Sequence, residues 1–311
     1  MSQTRPTLFD TASLAARRDR AMRLGFKDGA DFLWRRAAEG IAERLEDTPR
    51  AFPRAVVLGT GAGVVAAALP PKVGHAGLLQ LDPSARMAAS AQAAHPRAET
   101  RVDACELLPL SEGSVDLALS VLLLHWQDDP VGHLLQLRRA LVPDGLAIAV
   151  LLAGQTLAGL RAAFASAEAE ILGGLTPRVA PMGELRELGG LLQRAGFAMP
   201  VADAERVRVS YADPLALMRD LRAMGETNLM AGRARAFLRR DVLFRAAELY
   251  AAHFGTAEGR VAAEYEIAFL TGWAPGPGQP QALRPGSATS RLADALGTPE
   301  ISAGEKPPGR D

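Results

Sequence analysis

Up to about residue 50, apolar side chains recur every three or four positions. Residues 29–47 carry Phe32, Leu33, Ile41 and Leu45 at that spacing, with Arg35, Arg36, Glu39 and Glu43 between them. Together with 11–27, this predicts two helices. From Arg54 the period changes, and short β-rich or wholly apolar runs alternate with longer helical stretches. Ala55-Val56-Val57-Leu58 precedes an Ala-rich run at 64–69, and 76–81 precedes a helix over 85–94. Then come strands at 99–102 and 115–122, a helix over about 131–141, and a strand at 145–152.

Buried strands alternating with helices indicate a mostly parallel sheet covered on both faces, wound in the Rossmann manner. The expected fold class is α/β. Residues 29–153 form this domain, preceded by an N-terminal helical segment at 1–28. Beyond it, 154–273 reads as a mainly helical extension that completes the sheet and shapes the substrate side. It holds helices at 156–172, 183–195, 214–224 and 233–253, and strands at 197–203, 205–211 and 261–270. The remaining 38 residues, 274–311, contain seven Pro and six Gly and read as an extended or draped tail.

Charge and cysteine content narrow the function. The 311 residues carry 35 Lys+Arg against 35 Asp+Glu, which excludes a general nucleic-acid binder that must neutralise phosphates. A single cysteine, Cys105, allows no intramolecular disulfide and no Cys-based metal cage, and points to a reducing compartment. No apolar run approaches the ~20 residues of a membrane span. The first ten residues lack the charged-then-apolar layout of a secretory signal, so a cytoplasmic, soluble chain is expected.

The most informative chemistry is Gly59-Thr60-Gly61-Ala62-Gly63, between the first strand and a helix. Alternating glycines permit a tight turn and bring backbone N–H groups close to a ligand at the helix N-terminus. The spacing is neither Gly-x-Gly-x-x-Gly nor a Walker loop, and a glycine turn can also serve the fold alone. Asp82 ends the second strand, where a carboxylate can accept from two vicinal ribose hydroxyls; it also opens Asp82-Pro83-Ser84, a helix-capping sequence. Asp103 and Glu106 follow the third strand, where an acid can meet an adenine amino group or simply face water. Pro143-Asp144-Gly145 reads as a turn.

In order and spacing these motifs resemble class I S-adenosylmethionine-dependent methyltransferases: Gly-x-Gly-x-Gly, Asp82-x-Ser84-x-x-Met87, Leu108-Pro109-Leu110 and Leu141-x-Pro143-Asp144-Gly145. A narrower resemblance, to the complex I assembly factor 5 family, covers most of the chain. It rests on Leu8-Phe9-Asp10 with Arg17-Arg18-Asp19-Arg20, and on Ser120 with Leu124-His125-Trp126. Gln155-Thr156-Leu157, Leu191 to Phe197, Met224-Gly225-Glu226-Thr227-Asn228, Leu270 to Pro275 and Pro285-Gly286-Ser287-Ala288 extend it. The chain is also similar to malonyl-carrier-protein methyltransferases.

The resemblance implies a class I methyltransferase sheet and S-adenosyl-L-methionine as cofactor. Gly59, Thr60, Gly61 and Gly63 would line its methionyl and ribose region, Asp82 would take the ribose hydroxyls, and Asp103 or Glu106 would lie near adenine. The implied acceptor is a protein client, a subunit of respiratory complex I, or an acyl-carrier substrate. The implied activity is methyl transfer or arginine hydroxylation, and the alternative is a non-catalytic assembly chaperone on the same fold.

One departure bears on affinity. Class I methyltransferases usually have an acid two residues before the first glycine, and here that position is Val57. Losing a carboxylate that meets an ammonium removes roughly 1–3 kcal/mol, about ten- to hundredfold in binding. No metal-ligand motif is present among the five histidines. His125, just after the fourth strand, is the candidate for proton transfer, or else a rim histidine beside Trp126. The helix around Arg233, Arg235, Arg239, Arg240 and Arg245 is locally basic, either a solvated face or a dock for an acidic partner.

Overall fold

The computed structural model describes residues 7–26, 29–280 and 290–299. Strands β1 (Ala55–Leu58), β2 (Leu78–Asp82), β3 (Glu99–Val102), β4 (Val115–Val121), β5 (Leu141–Ala153), β6 (Ala198–Tyr211) and β7 (Val261–Trp273) form one sheet. Its order is β3-β2-β1-β4-β5-β7-β6. The first five strands are parallel, while β7 lies antiparallel between β5 and β6, as the long α-rich excursion after β5 returns from the opposite end. The expected α/β architecture, a mostly parallel sheet with helices on both faces, is the one observed.

Period-2 alternation decides which core each side chain joins. In β1, Ala55 and Val57 face one apolar cluster with Leu33, Trp34 and Ile41 of helix α2 (Phe32–Glu46), while Val56 and Leu58 face the other with Leu134 and Leu192. All four β1 side chains are fully buried, so this strand is apolar throughout rather than alternating. Val57 is therefore a core residue. The edge strands behave differently: Glu99, Arg101 and Val102 of β3 are exposed, and Glu99 and Arg101 pair with each other.

Helix α1 (Thr11–Leu24) opens on Asp10, whose carboxylate accepts from the Ser13 N–H, and stops at Gly25 in the left-handed region. It packs on α4 (Ala85–Ala94) and on α8 (Pro214–Met224). Helix α3 (Val64–Ala68) follows the glycine turn, and α5 (Pro130–Ala140) joins β4 to β5. Helices α6 (Ala158–Leu172), α7 (Leu185–Arg194) and α9 (Arg240–Phe254) complete unit 1, Met1–Gly276. Pro277–Asp311 is a separate unit; its described part contains the short helix α10 (Leu292–Leu296). The Pro285–Ala288 segment and most of the tail lie outside the described residues.

Three expectations need correction. The strands expected at 197–203 and 205–211 are one strand, β6, paired with β7 throughout and bent by a register shift between Ala198 and Val201. Pro143-Asp144-Gly145 falls inside β5, with Asp144 at φ 61°, rather than separating helix from strand. The helix expected at 233–253 starts only at Arg240. Arg233 is held back by Asp10, 2.6 Å from its Nη2, and by the Leu229 and Met230 carbonyls. The expected basic face is largely neutralised in place, since Arg239 pairs with Asp241, and Arg245 with Glu170 and Glu248.

Candidate functional site

All five parallel strands end on one edge of the sheet, and the order reverses between β1 and β4, which opens a crevice at their C-terminal ends. The glycine turn sits there. A Cβ on Gly59 would run into the Val121 carbonyl oxygen, so the close approach of the two strand ends requires glycine. Gly61, at φ 54°, is covered by the Trp34 ring, 2.7 Å from where its Cβ would lie. Sequence periodicity assigned Trp34 no role beyond the core helix.

Asp82 is tied into this turn. Its Oδ2 accepts from the Thr60 backbone N–H at 2.8 Å and from Thr60 Oγ1 at 2.9 Å, and its Oδ1 accepts from the Ser84 N–H at 2.9 Å. The helix cap itself is Ser84, whose Oγ accepts from the Met87 N–H. Asp82, Thr60 and Ser84 have no exposed surface. Helix α1 covers them: Asp19 Oδ1 accepts from Ser84 Oγ at 2.6 Å and from the Arg86 N–H at 3.1 Å.

Asp103 adjoins Asp82. Its N–H donates to the Asp82 carbonyl, and its Oδ1 accepts from the Cys105 N–H. Burial, then the Asp82 and Asp103 charges, push the Cys105 thiol well above its ordinary range, which makes it a packing residue rather than a nucleophile. Glu106 points elsewhere: it is exposed and accepts from Thr11 Oγ1 at 2.6 Å. The structure thus brings Gly59, Thr60, Gly61, Gly63, Asp82 and Asp103 together and leaves Glu106 at the rim.

A buried polar cluster lies against the same turn, drawn from four distant segments. Arg18 of α1 stands 4.9 Å over the Trp34 ring, donates from Nη2 to the Leu122 carbonyl just after β4 at 2.6 Å, and lies 3.9 Å from Glu226 Oε1. Glu226, just after α8, accepts on Oε2 from the Trp126 indole N–H at 2.9 Å and from His125 Nε2 at 3.2 Å. Burial pushes the Glu226 carboxyl up, but His125, Arg18 and Trp126 more than reverse this and hold it below the usual carboxylate range. It is an ionised acid.

This cluster is incompletely satisfied. Arg18 Nε and Nη1, Trp34 Nε1, His125 Nδ1 and Glu226 Oε1 are buried without a hydrogen-bond partner. Native interiors leave few such atoms, each costing about 1–3 kcal/mol, so five around one turn mark a place shaped for a polar ligand. Arg18 and Glu226 were legible only as members of the segments Arg17–Arg20 and Met224–Asn228, with no role attached.

On the far side of Glu226 lies a cavity of ≈ 670 Å³ between α1, α6, α8 and the 225–238 segment. Trp126 and Glu226 line it; His125 and the glycine turn do not. The site is thus two-sided, with a closed polar crevice at the strand ends and an open cavity next to it.

Residues 56–149, which contain β1, the glycine turn, Asp82 and β4, match the family model described as a methyltransferase domain. The chain is 34% identical over 287 residues to the mitochondrial arginine-hydroxylase NDUFAF5 of Danio rerio, covering 92% of this chain and 89% of that protein. It is 34% identical over 259 residues to the malonyl-[acyl-carrier protein] O-methyltransferase of Laribacter hongkongensis, covering 80% of this chain and 84% of that one. The chain belongs to this methyltransferase family. The YcgJ protein of Bacillus subtilis shares the fold, with a TM-score of 0.54 at 16% identity over 77% of this chain and 99% of that one.

S-adenosyl-L-methionine is the cofactor of this fold. The buried residues suit it: the Arg18 guanidinium has two free donors for a carboxylate, Glu226 an oxygen for a cation, and the glycine turn leaves backbone at the crevice. Among the described residues no helix is long and apolar enough to cross a membrane.

Proposed function

We propose that this protein transfers a methyl group from S-adenosylmethionine to an acceptor carried on a protein, in the maturation of respiratory complex I. The observation that carries this reading is the set of five unpartnered buried polar atoms around the glycine turn. Gly59, Thr60, Gly61 and Gly63 would line the methionyl and ribose region, Asp82 would accept from the ribose hydroxyls, and Asp103 would lie toward adenine. Arg18 would hold the methionyl carboxylate. Glu226 would supply the negative charge that Val57, locked in the apolar core, cannot. Glu106, held by Thr11 at the rim, would contribute least.

Bound there, S-adenosylmethionine supplies an electrophilic methyl on a sulfonium. The chain's own residues would orient and shield. Trp34 and α1 would exclude water from the strand ends, and the cavity beside Glu226 would align the acceptor, since such transfer rests chiefly on in-line placement. His125, held through Nε2 on Glu226 and standing off the cavity lining, would orient Glu226 rather than reach the acceptor.

The resemblance of the sequence to the complex I assembly factor 5 family supports the complex I role, and the similarity to an arginine-hydroxylase and to a malonyl-[acyl-carrier protein] O-methyltransferase supports a protein-borne acceptor. A second reading, a non-catalytic assembly chaperone, draws on the closure of the turn: Thr60 and Asp82 are fully buried and Trp34 lies on Gly61. Deleting the gene in its host and mass-mapping the complex I subunits separates these. A lost methyl mark supports the proposal and a lost hydroxyl mark replaces methylation by hydroxylation. Failed assembly with every mark retained refutes catalysis.

A further inference from the structure

The loop after β3 has little apolar anchoring. Of residues 103–110 only Cys105 is buried, and Leu107 is 84% exposed. Cys105 sits at φ 58°, a left-handed conformation that a non-glycine residue keeps only where its surroundings enforce it. One enforcing bond lies within the loop, from the Cys105 N–H to Asp103 Oδ1 at 2.7 Å. It commits one oxygen of Asp103, and Oδ2 makes no hydrogen bond among the described residues.

Thr11 holds the Glu106 side chain, but the loop backbone is held from α5. Gln136 Oε1 accepts from the Leu108 N–H at 2.8 Å, and its Nε2 donates to the Glu106 carbonyl at 2.9 Å. A carboxamide can accept and donate at once, which is what these two peptide groups require. One turn earlier on the same helix, His133 Nε2 lies 3.0 Å from Ser120 Oγ, with both residues buried, and the Cys105 backbone lies beside the same ring. Ser120 of β4 pairs with Leu58 of β1, the residue before Gly59. Helix α5 therefore ties the loop to the strand ends that carry the glycine turn.

Asp103 leaves β3 beside Asp82, to whose carbonyl its own N–H is bonded. It thus keeps an unengaged carboxylate oxygen at the root of a loop whose far end is fixed by Gln136. A carboxylate reads adenine by accepting from the exocyclic amino group, and it repels the oxo group that hypoxanthine carries there. Reading of this kind needs the acid held within about 0.5 Å of its productive place, by groups that do not themselves touch the ligand.

We propose that Gln136 is a positioning residue for base recognition: by bracing the Glu106 carbonyl and the Leu108 N–H, it keeps Asp103 where it accepts from the adenine amino group. This rests on the reading of the crevice as the S-adenosylmethionine site with Asp103 toward adenine. Glu106 then serves that site through its main chain, and its exposed carboxylate is dispensable.

The test titrates the full-length protein calorimetrically with S-adenosylhomocysteine and with S-inosylhomocysteine, whose base carries an oxo group in place of the amino group. The wild type is expected to prefer the adenosyl ligand by about tenfold or more. In Gln136→Leu that preference is expected to shrink to about threefold or less through loss of adenosyl affinity, with the inosyl ligand changed less than about twofold. Gln136→Glu keeps an acceptor for Leu108 but no donor for Glu106, and is expected to fall between. Circular dichroism confirms that each variant is folded, and if Gln136→Leu is not, Gln136→Glu decides by the same criterion. A merely structural Gln136 would lower Tm and leave the preference intact, which overturns the proposal, as does an equal loss of both ligands. A wild type that binds both ligands equally overturns the proposal and leaves the cofactor site standing. A wild type that binds neither overturns the cofactor reading itself.

Discussion

Replacing Asp82 by Asn changes no volume and tests how the turn is held. The carboxylate accepts three hydrogen bonds, from the Thr60 N–H, from the Thr60 hydroxyl and from the Ser84 N–H, all without solvent contact. An amide has one oxygen. Kept on the Thr60 side, it preserves two bonds as neutral ones and turns its NH2 against the Ser84 N–H; the opposite flip strands two donors and is worse. The favoured flip loses one charge-assisted bond, about 1.5–3 kcal/mol, and leaves a buried donor unpaired, about 1–3 kcal/mol. The expected cost is about 3–5 kcal/mol, a fall in Tm of about 10 °C for a domain of this size. Thermal and urea unfolding followed by circular dichroism reads it. Thr60→Val removes one of the same bonds, so the double variant is expected to cost less than the sum of the singles, by about 1 kcal/mol or more. A cost below about 1 kcal/mol for Asp82→Asn, with additive singles, would falsify the claim that Asp82 clamps the glycine turn.

Gly61→Ala places a methyl 2.7 Å from Trp34 at a left-handed φ, so a loss of about 2–4 kcal/mol is expected in urea unfolding; a loss under about 0.5 kcal/mol would mean the ring moves freely. His133, buried and 3.0 Å from Ser120 Oγ, is pushed by burial down to about 4. The unfolded chain therefore binds the extra proton between about 6.5 and 4. Stability is full above pH 6.5 and falls by about 3 kcal/mol as the pH drops to 4. His133→Gln should flatten that limb of the pH–stability curve, and an unchanged curve would assign it to other groups. Arg18→Met is expected to weaken S-adenosylmethionine binding about tenfold or more and also to lower Tm, because the Leu122 carbonyl loses its donor and the buried Glu226 charge loses a neighbouring cation. Unchanged affinity would remove Arg18 from the cofactor site.

Much of the sheet was readable because its strands are short, apolar and separated by helices of different period. Right-handed crossovers fix the hand of each connection. The order β3-β2-β1-β4-β5 follows only once the chain reverses its direction of travel between β1 and β4 so that helices cover both faces. The insertion of β7 between β5 and β6 left no local trace, since register is set by pairing rather than by the strand's own residues. The Arg- and Ala-rich stretch at 233–239 has helical propensity throughout, and the Arg233–Asp10 pair overrides it across more than two hundred residues of chain. Local motifs picked out the glycine turn and Asp82. They could not pick out Arg18, Trp34 and Glu226, because each lies on an ordinary helix or turn and the three meet only when α1, α2 and the segment after α8 converge. Val57 shows the reverse case. The motif position expected to carry an acid is a fully buried strand residue facing an apolar cluster, and the nearest ionised acid to the Arg18 cluster comes instead from Glu226.

Methyl transfer by this chain requires that the closed crevice at the ends of β1 and β4 admit the cofactor. Calorimetric titration of the full-length protein with S-adenosylmethionine tests this directly. Saturable binding of one molecule per chain, with Kd below about 1 mM and weakened in Arg18→Met, is the predicted result. No heat up to millimolar ligand would contradict it, and the fold would then be serving assembly without the chemistry.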